Sequence, residues 1–125
     1  MKIKCFSLLI CSLLLLGAQC KKDENDIDQS LCNNAKVIRS TCGGIVIQLL
    51  KRNDIGSSWT DPSVTNGPAY PNCVLTNTLP TDKNKQGQPL SIKFEVVTQF
   101  EGGNLCDIGG LPSNKISIKE FFECK

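Results

Sequence analysis

Leu90-Ser91-Ile92-Lys93-Phe94-Glu95-Val96 decides the class of this fold. Leu90, Ile92, Phe94 and Val96 alternate with Ser91, Lys93 and Glu95, a period of two that places one set on a core face and the other in water. A half-buried β-strand is therefore expected here, with the four apolar residues inward. Upstream, Ile45, Ile47 and Leu49 alternate with Val46, Gln48 and Leu50. That mostly apolar run suits a strand buried on both faces. Residues 35–40 are also β-like, and Gly43-Gly44 beside Cys42 marks either a bend within one long strand over 35–50 or the turn of a hairpin. Ile116-Ser117-Ile118-Lys119 repeats the alternation, and Glu120-Phe121-Phe122-Glu123 breaks its phase, as a bulge or a frayed edge would. Residues 73–79, with Val74, Thr76 and Thr78, are a further strand candidate. No segment carries a helical stripe, and Gly102-Gly103, Gly109-Gly110 and Pro112 punctuate the chain at strand spacing. The expected class is all-β. About five strands, the first long and the last closing the sheet, suggest a small single-domain, OB-like barrel, with a small sandwich as the alternative.

Outward from that domain, the N-terminus reads as an export signal. Met1-Lys2-Ile3-Lys4 is a positive start, and residues 5–16 are apolar except for Ser7 and Ser12. The run is shorter than the roughly 20 residues that a membrane-crossing helix needs. Leu16-Gly17-Ala18-Gln19-Cys20 follows, with small residues ahead of a cysteine at the expected cleavage point. This stretch resembles a bacterial lipobox, in which the cysteine sulfur takes a diacylglyceryl group and the new amino terminus is acylated. Gln19 stands where Gly, Ala or Ser is usual, and such a relaxed form is similar to the lipoboxes of Bacteroidetes-type bacteria. The competing reading is an ordinary signal-peptidase site that leaves Cys20 for a disulfide. The resemblance implies residues 1–19 as signal peptide, Cys20 as lipidation site, and a protein held at the outer membrane. Two or three acyl chains, each burying about 0.8 kcal/mol per methylene, anchor firmly without a transmembrane helix.

Lys21-Lys22-Asp23-Glu24-Asn25-Asp26-Ile27-Asp28 has one apolar residue and cannot order itself by burial. Residues 20–31 are accordingly expected to form a flexible acidic tether, and residues 32–125 the folded domain. The tether also resembles the acidic tag that directs some Bacteroidetes lipoproteins to the cell surface, so either the surface or the periplasmic face is expected. The chain carries 14 Lys and Arg against 12 Asp and Glu. Lys2 and Lys4 leave with the signal, so the remainder is near neutral and has no basic footprint for nucleic acid.

Five of the eight cysteines, Cys32, Cys42, Cys73, Cys106 and Cys124, belong to the domain. An oxidising compartment favours their pairing. Two bridges and one free thiol can be drawn in fifteen ways. The arrangement expected is Cys32 with Cys124, tying the ends of the domain, and Cys42 with Cys106, leaving Cys73 unpaired. Zinc needs close cysteine pairs or histidines, and the chain has no histidine, so no metal and no cofactor are expected. The lack of imidazole also excludes serine- and cysteine-hydrolase triads. Asp54, Asp61, Glu95, Glu101 and Asp107 are loop or near-loop acids of which two could converge, but ordinary surface carboxylates are the expected reading. Residues 101–110 are glycine-rich without the Gly-Lys-Ser/Thr ending of a phosphate loop.

Taken together, Cys32, Cys42-Gly43, Leu79-Pro80, Gly87 before an alternating strand, Cys106, and Ile116-Ser117-Ile118 ending near Cys124 resemble a recurrent pattern in small lipoproteins of Bacteroidetes-type bacteria. Cys73 is not part of that pattern. The resemblance implies a compartment and a barrel-like domain, and no activity.

Residues 51–72 form a long connection holding Trp59, Tyr70, Pro62, Pro68 and Pro71, and connections of that length are commonly functional. Trp59 and Tyr70 are either a contact platform for a protein or glycan partner, or a plug over the open end of the barrel. The plug is the preferred reading. A non-enzymatic, membrane-attached binding module is the function expected first, and an inhibitor of a secreted lysozyme or protease the alternative.

Overall fold

The computed structural model describes residues 28–103, 106 and 108–124. Cys20 and most of the tether lie outside them. The protein is all-β, with seven strands: β1 (Ala35–Thr41), β2 (Gly44–Leu49), β3 (Ser57–Thr60), β4 (Ala69–Thr76), β5 (Pro89–Leu90), β6 (Ile92–Val97) and β7 (Lys115–Phe121). Two short 3-10 helices, Gln29–Leu31 and Thr81–Lys83, accompany them. The strands form one mixed sheet in the order β5-β1-β2-β4-β7-β6, with β3 on β4. A sandwich is thus excluded.

β1 and β2 are a hairpin that turns at Cys42-Gly43, which settles the alternatives for residues 35–50. The turn is closed by the Thr41 hydroxyl, which donates to the Gly44 carbonyl at 2.7 Å. The chain is close-packed at Gly43, where a β-carbon would stand 2.6 Å from Leu111 Cδ1 and would displace the tip of that side chain. β4 runs antiparallel to β2 through residues 73–76 and pairs with β3 through its first half. It starts four residues earlier than the sequence pattern suggests. Pro71 is accommodated there because it falls in a bulge beside Asn72, whose φ is 56°. β7 adds parallel to β4, and β6 antiparallel to β7.

The expected closed barrel is corrected by this ladder, which has two open edges, β5 and β6. These edges are nevertheless consecutive in the chain, separated only by Ser91. Pro89 and Leu90 pair with β1, whereas Ile92 onward pairs with β7. One strand in the sequence pattern is therefore two strands bent at Ser91, and the result is a partly open, OB-like roll. The bend changes what faces inward. Ser91, expected in water, is buried, and its hydroxyl accepts the Asn33 N–H at 2.8 Å. Val96, expected inside, is 58% exposed. Beyond Ile92, β6 is an edge strand with only β7 paired beside it.

The seam between the two edges is bridged by a side chain. The Asn34 amide donates to the Ile92 carbonyl at 2.7 Å and accepts the Ile92 N–H at 3.0 Å. It thereby imitates one rung of a neighbouring strand. Nearby the Phe122 N–H donates to the Ser91 carbonyl at 2.9 Å, and Cys32 bonds Cys124.

Both faces of the central strands are buried. Inside the roll are Val37, Ile45, Ile47, Leu49, Val74, Leu90, Ile92 and Ile116. On the outer face Ile38, Val46, Trp59, Cys73, Leu75 and Phe100 form a second cluster. Register makes this possible, since Ile47 sits opposite Val74 on one face and Val46 opposite Leu75 on the other. A bulge in β1 supplies the extra residue, Ile38, to the outer cluster. A third bulge, on β7 between the partners of Lys93 and Phe94, accounts for the phase break before Phe121.

Replacing Asn34 with alanine orphans the buried Ile92 N–H and carbonyl together. The expected cost is about 2–4 kcal/mol. Urea unfolding with both disulfides intact should show a lower midpoint at unchanged slope, whereas Asn84→Ala should cost less than about 0.5 kcal/mol. Equal midpoints for Asn34→Ala and wild type would refute the clasp.

Candidate functional site

OB-like rolls bind ligands across the outer face of their second and third strands and the loops at its rim. Here that face, on β2 and β4, is closed by the chain's own residues. Val46, Cys73 and Leu75 are fully or almost fully buried beneath Trp59, Ile38 and Phe100. In this cover Ile38 comes from β1, Phe100 from the segment after β6 and Trp59 from the 51–72 connection. That connection is not an irregular loop: β3 returns against β4, so only residues 61–68 form the tip.

Trp59 is 5% exposed, and its indole N–H donates to the Gly110 carbonyl at 2.6 Å. Tyr70 stacks on it with ring centroids 6.4 Å apart, and is half-buried. The two rings are brought together, but as a lid on the sheet and not as an open platform. Trp59 caps the outer face of the roll, where the sequence reading had put a plug over its end.

What remains accessible is a groove of about 250 Å³ at the rim. One wall is the end of β1 and its turn at Cys42. The other is the segment around Ile108, Gly109 and Leu111, and the floor includes Trp59 and Pro62. Cys42 bonds Cys106, so the two walls are covalently joined. Cys32–Cys124 and Cys42–Cys106 are the same two pairs chosen from the sequence, with Cys73 left as a thiol.

Arg39 supplies the charge in this groove. Its guanidinium donates to the Asp61 carboxylate and to the Ser63 hydroxyl. Ser63 in turn donates to Asp61 from its N–H at 2.9 Å and from its hydroxyl at 2.8 Å. Partial burial raises the Asp61 pKa, but the Ser63 N–H, the Arg39 guanidinium and the Ser63 hydroxyl outweigh it and hold the carboxyl below its usual range. The side chain of Arg39 stays 39% exposed and lines the groove. Beside it Ile108 is 39% exposed. Neither Arg39 nor Ile108 stands in a sequence motif, so only the fold brings them to one groove.

The other acids do not converge. Asp54 pairs with Arg52, Glu95 with Lys119, and Asp61 with Arg39. Glu101 is exposed, and Asp107 lies outside the described residues. Among the described residues there is no cluster of three metal-ligating side chains and no helix long and apolar enough to cross a membrane. Comparison of the chain with protein-family models, with curated proteins and with solved structures gives no match.

Burial beneath the lid pushes the Cys73 thiol from 9.0 to about 11, against a small opposing pull from Lys36. Its pKa is raised in the folded state, so the stability associated with the neutral thiol is complete below about pH 9. It is lost as the pH rises toward about 11, because only the unfolded chain has then released the proton. Cys73→Ala should flatten this alkaline fall in the unfolding midpoint. In the native wild type at pH 8, iodoacetamide should leave Cys73 unmodified, and one equivalent should react in urea. Rapid labelling without denaturant would contradict the burial.

Proposed function

We propose that this protein is a lipid-anchored lipoprotein of the outer membrane that acts as a non-enzymatic binding module, engaging a protein or glycan through the rim groove beside Arg39 and Ile108. The observation that carries this reading is the groove itself. Two loop walls are stapled by Cys42–Cys106, and the partly exposed Arg39 side chain is held in place by Asp61 and Ser63. A preordered fork of this kind loses little entropy on meeting a carboxylate or a set of hydroxyls. The chain has no histidine, so it offers no imidazole for acid–base chemistry on a bound molecule.

The anchor belongs to the same proposal. It rests on the apolar run over 5–16 and on Gly17-Ala18-Gln19-Cys20, which resemble a lipoprotein signal. Disulfides in the domain are what an exported chain acquires.

A second reading is favoured by the hairpin tip. Residues 61–68 are tied by Val64 N–H to the Asp61 carbonyl and Gly67 N–H to the Val64 carbonyl, both at 3.1 Å. Val64, near the apex, is 46% exposed. A stiff loop with an apolar tip suits insertion into an enzyme cleft, as an inhibitor of a secreted lysozyme or protease would use it.

Two measurements test these readings. Mass spectrometry of the chain from cells should give a species lacking residues 1–19 and carrying two or three acyl chains on Cys20. An unprocessed, fatty-acid-free chain would end the anchoring claim. Pull-down from detergent-solubilised envelope should enrich a protein or glycan that Arg39→Gln and Ile108→Asp each reduce at least about tenfold, a loss of roughly 1.4 kcal/mol. Equal enrichment in the variants removes the groove. Inhibition of a lysozyme or protease that disappears when residues 62–67 are replaced by a short glycine turn would instead select the second reading.

A further inference from the structure

The clasp at the seam shows what the edge of β6 accepts. Ile92 presents its N–H and carbonyl away from β7, and the Asn34 amide takes both. Backbone groups on a strand alternate direction, so Phe94 and Val96 present theirs toward the same side. Neither has a hydrogen-bond partner on that side among the described residues. The edge therefore has one rung filled by a side-chain amide and two further rungs open. An unpaired edge is a template for another strand, and proteins generally cover or blunt it.

Next to these rungs is a recess of about 200 Å³. Leu31, Leu49, Ile92 and Phe94 give it an apolar lining, and Lys51, Arg52 and Lys93 stand at its margin. Arg52 is already forked to Asp54, at 2.6 and 3.0 Å. Neither Lys51 nor Lys93 is in a close ion pair among the described residues, although the Asp28 carboxylate feels the charge of Lys51. The Lys51 ammonium instead donates to the Gln29 carbonyl at 3.2 Å, which places it over the start of the described chain. Leu31 and Ser30, in the helix that begins at Gln29, share the recess with Phe94.

We propose that the chain's own acidic segment, Asp23-Glu24-Asn25-Asp26-Ile27, docks on this edge as an added strand, with Ile27 over the apolar recess and its carboxylates toward Lys51 and Lys93. Composition supports this occupant. The segment has one apolar residue, three acids and no proline, and it continues from Asp28 toward an edge with one recess and two lysines outside any close ion pair among the described residues. Connectivity supports it too. The segment enters through Asp28 beside the recess, and five extended residues reach about 17 Å, against the roughly 7 Å between the Phe94 and Val96 rungs. Being part of the same molecule, it competes for the edge at a high effective concentration. Main-chain pairing supplies the attraction, as in other strand-addition sites, and the ion pairs set the segment that fits. The tether is thereby shortened from its domain end, and the open edge is kept from pairing with other chains.

Amide hydrogen exchange on the chain purified from cells, with its N-terminal segment intact, tests this. Phe94 and Val96 N–H should exchange roughly tenfold more slowly in wild type than in a variant carrying Asp23→Asn, Glu24→Gln, Asp26→Asn and Ile27→Ser. Raising the salt to about 0.5 M should narrow that difference, because exposed ion pairs are screened. The Ile92 N–H, held by Asn34, should stay protected throughout and serves as the control for folding. Exchange at Phe94 and Val96 that is equally fast in both chains overturns the proposal. So does protection that grows with protein concentration and survives the substitutions, which would assign the edge to a second copy.

Discussion

The pair of hydrogen bonds between the Asn34 amide and Ile92 is the constraint on which this architecture turns. A sheet that rolls up with too few strands has to ask one strand to serve two neighbours, and here residues 89–97 do so. The direction change falls at Ser91, where the ladder on the β1 side ends before that on the β7 side is established. A bare bend would leave buried peptide groups unpaired, at about 1–3 kcal/mol each. Asn34 prevents this because its side chain carries the same donor and acceptor as a peptide, at the height of the missing rung. Ser91 completes the joint through its hydroxyl and carbonyl, and Cys32–Cys124 closes it across a separation of 92 residues. In the chain-entropy picture a loop of that length is worth about 4–5 kcal/mol, comparable with the stability of a whole small domain.

Because the roll is narrow, its interior alone holds a modest set of side chains. The second apolar cluster is the structural answer. β2 and β4 are apolar on both faces, and the β3 hairpin lays Trp59 over the outer one. That covering shifts any recognition away from the sheet to the rim. The 51–72 connection thus spends its aromatic residues on stability, and it leaves the polar turn at Asp61 and Ser63 to organise Arg39. Length marked this segment as important in the sequence. Its division into a buried hairpin and an exposed tip depends on tertiary packing.

The class of the fold and the staples were legible because each has a local signature. Period-two alternation at Ile45 to Leu49 and at Ile116 to Ile118 survives in the structure, and export chemistry makes paired cysteines the expectation. The phase of residues 90–96 was not legible. Alternation assumes an unbroken strand with the same neighbours throughout, and Ser91 violates that assumption without any glycine or proline to signal it. Asn34 reads as an ordinary turn residue, since nothing local shows that Ile92 will lie beside it. Arg39 and Asp61 are 22 residues apart and meet only because the β1 bulge and the β3–β4 hairpin converge. Contacts of that kind are decided by topology, and topology is what single-sequence patterning specifies least.

The two ends of β1 give the domain a polarity. Asn34 and Cys32 lie at the start of the strand, whereas Thr41, Cys42 and the rim groove lie at its finish. Seven residues at about 3.3 Å each separate these poles by roughly 20 Å. Under the proposed anchoring, the membrane is on the Cys32–Cys124 side and the Arg39 groove faces away from it. Each disulfide then serves one pole: the first holds the domain shut where the tether would pull on it, and the second holds the loop walls where a partner would approach. A bilayer-attached recognition module requires that division of labour, because a load on the anchor must not be transmitted into the contact surface. The double-sided core, with Val37 and Ile116 among its buried residues, lies between the two poles.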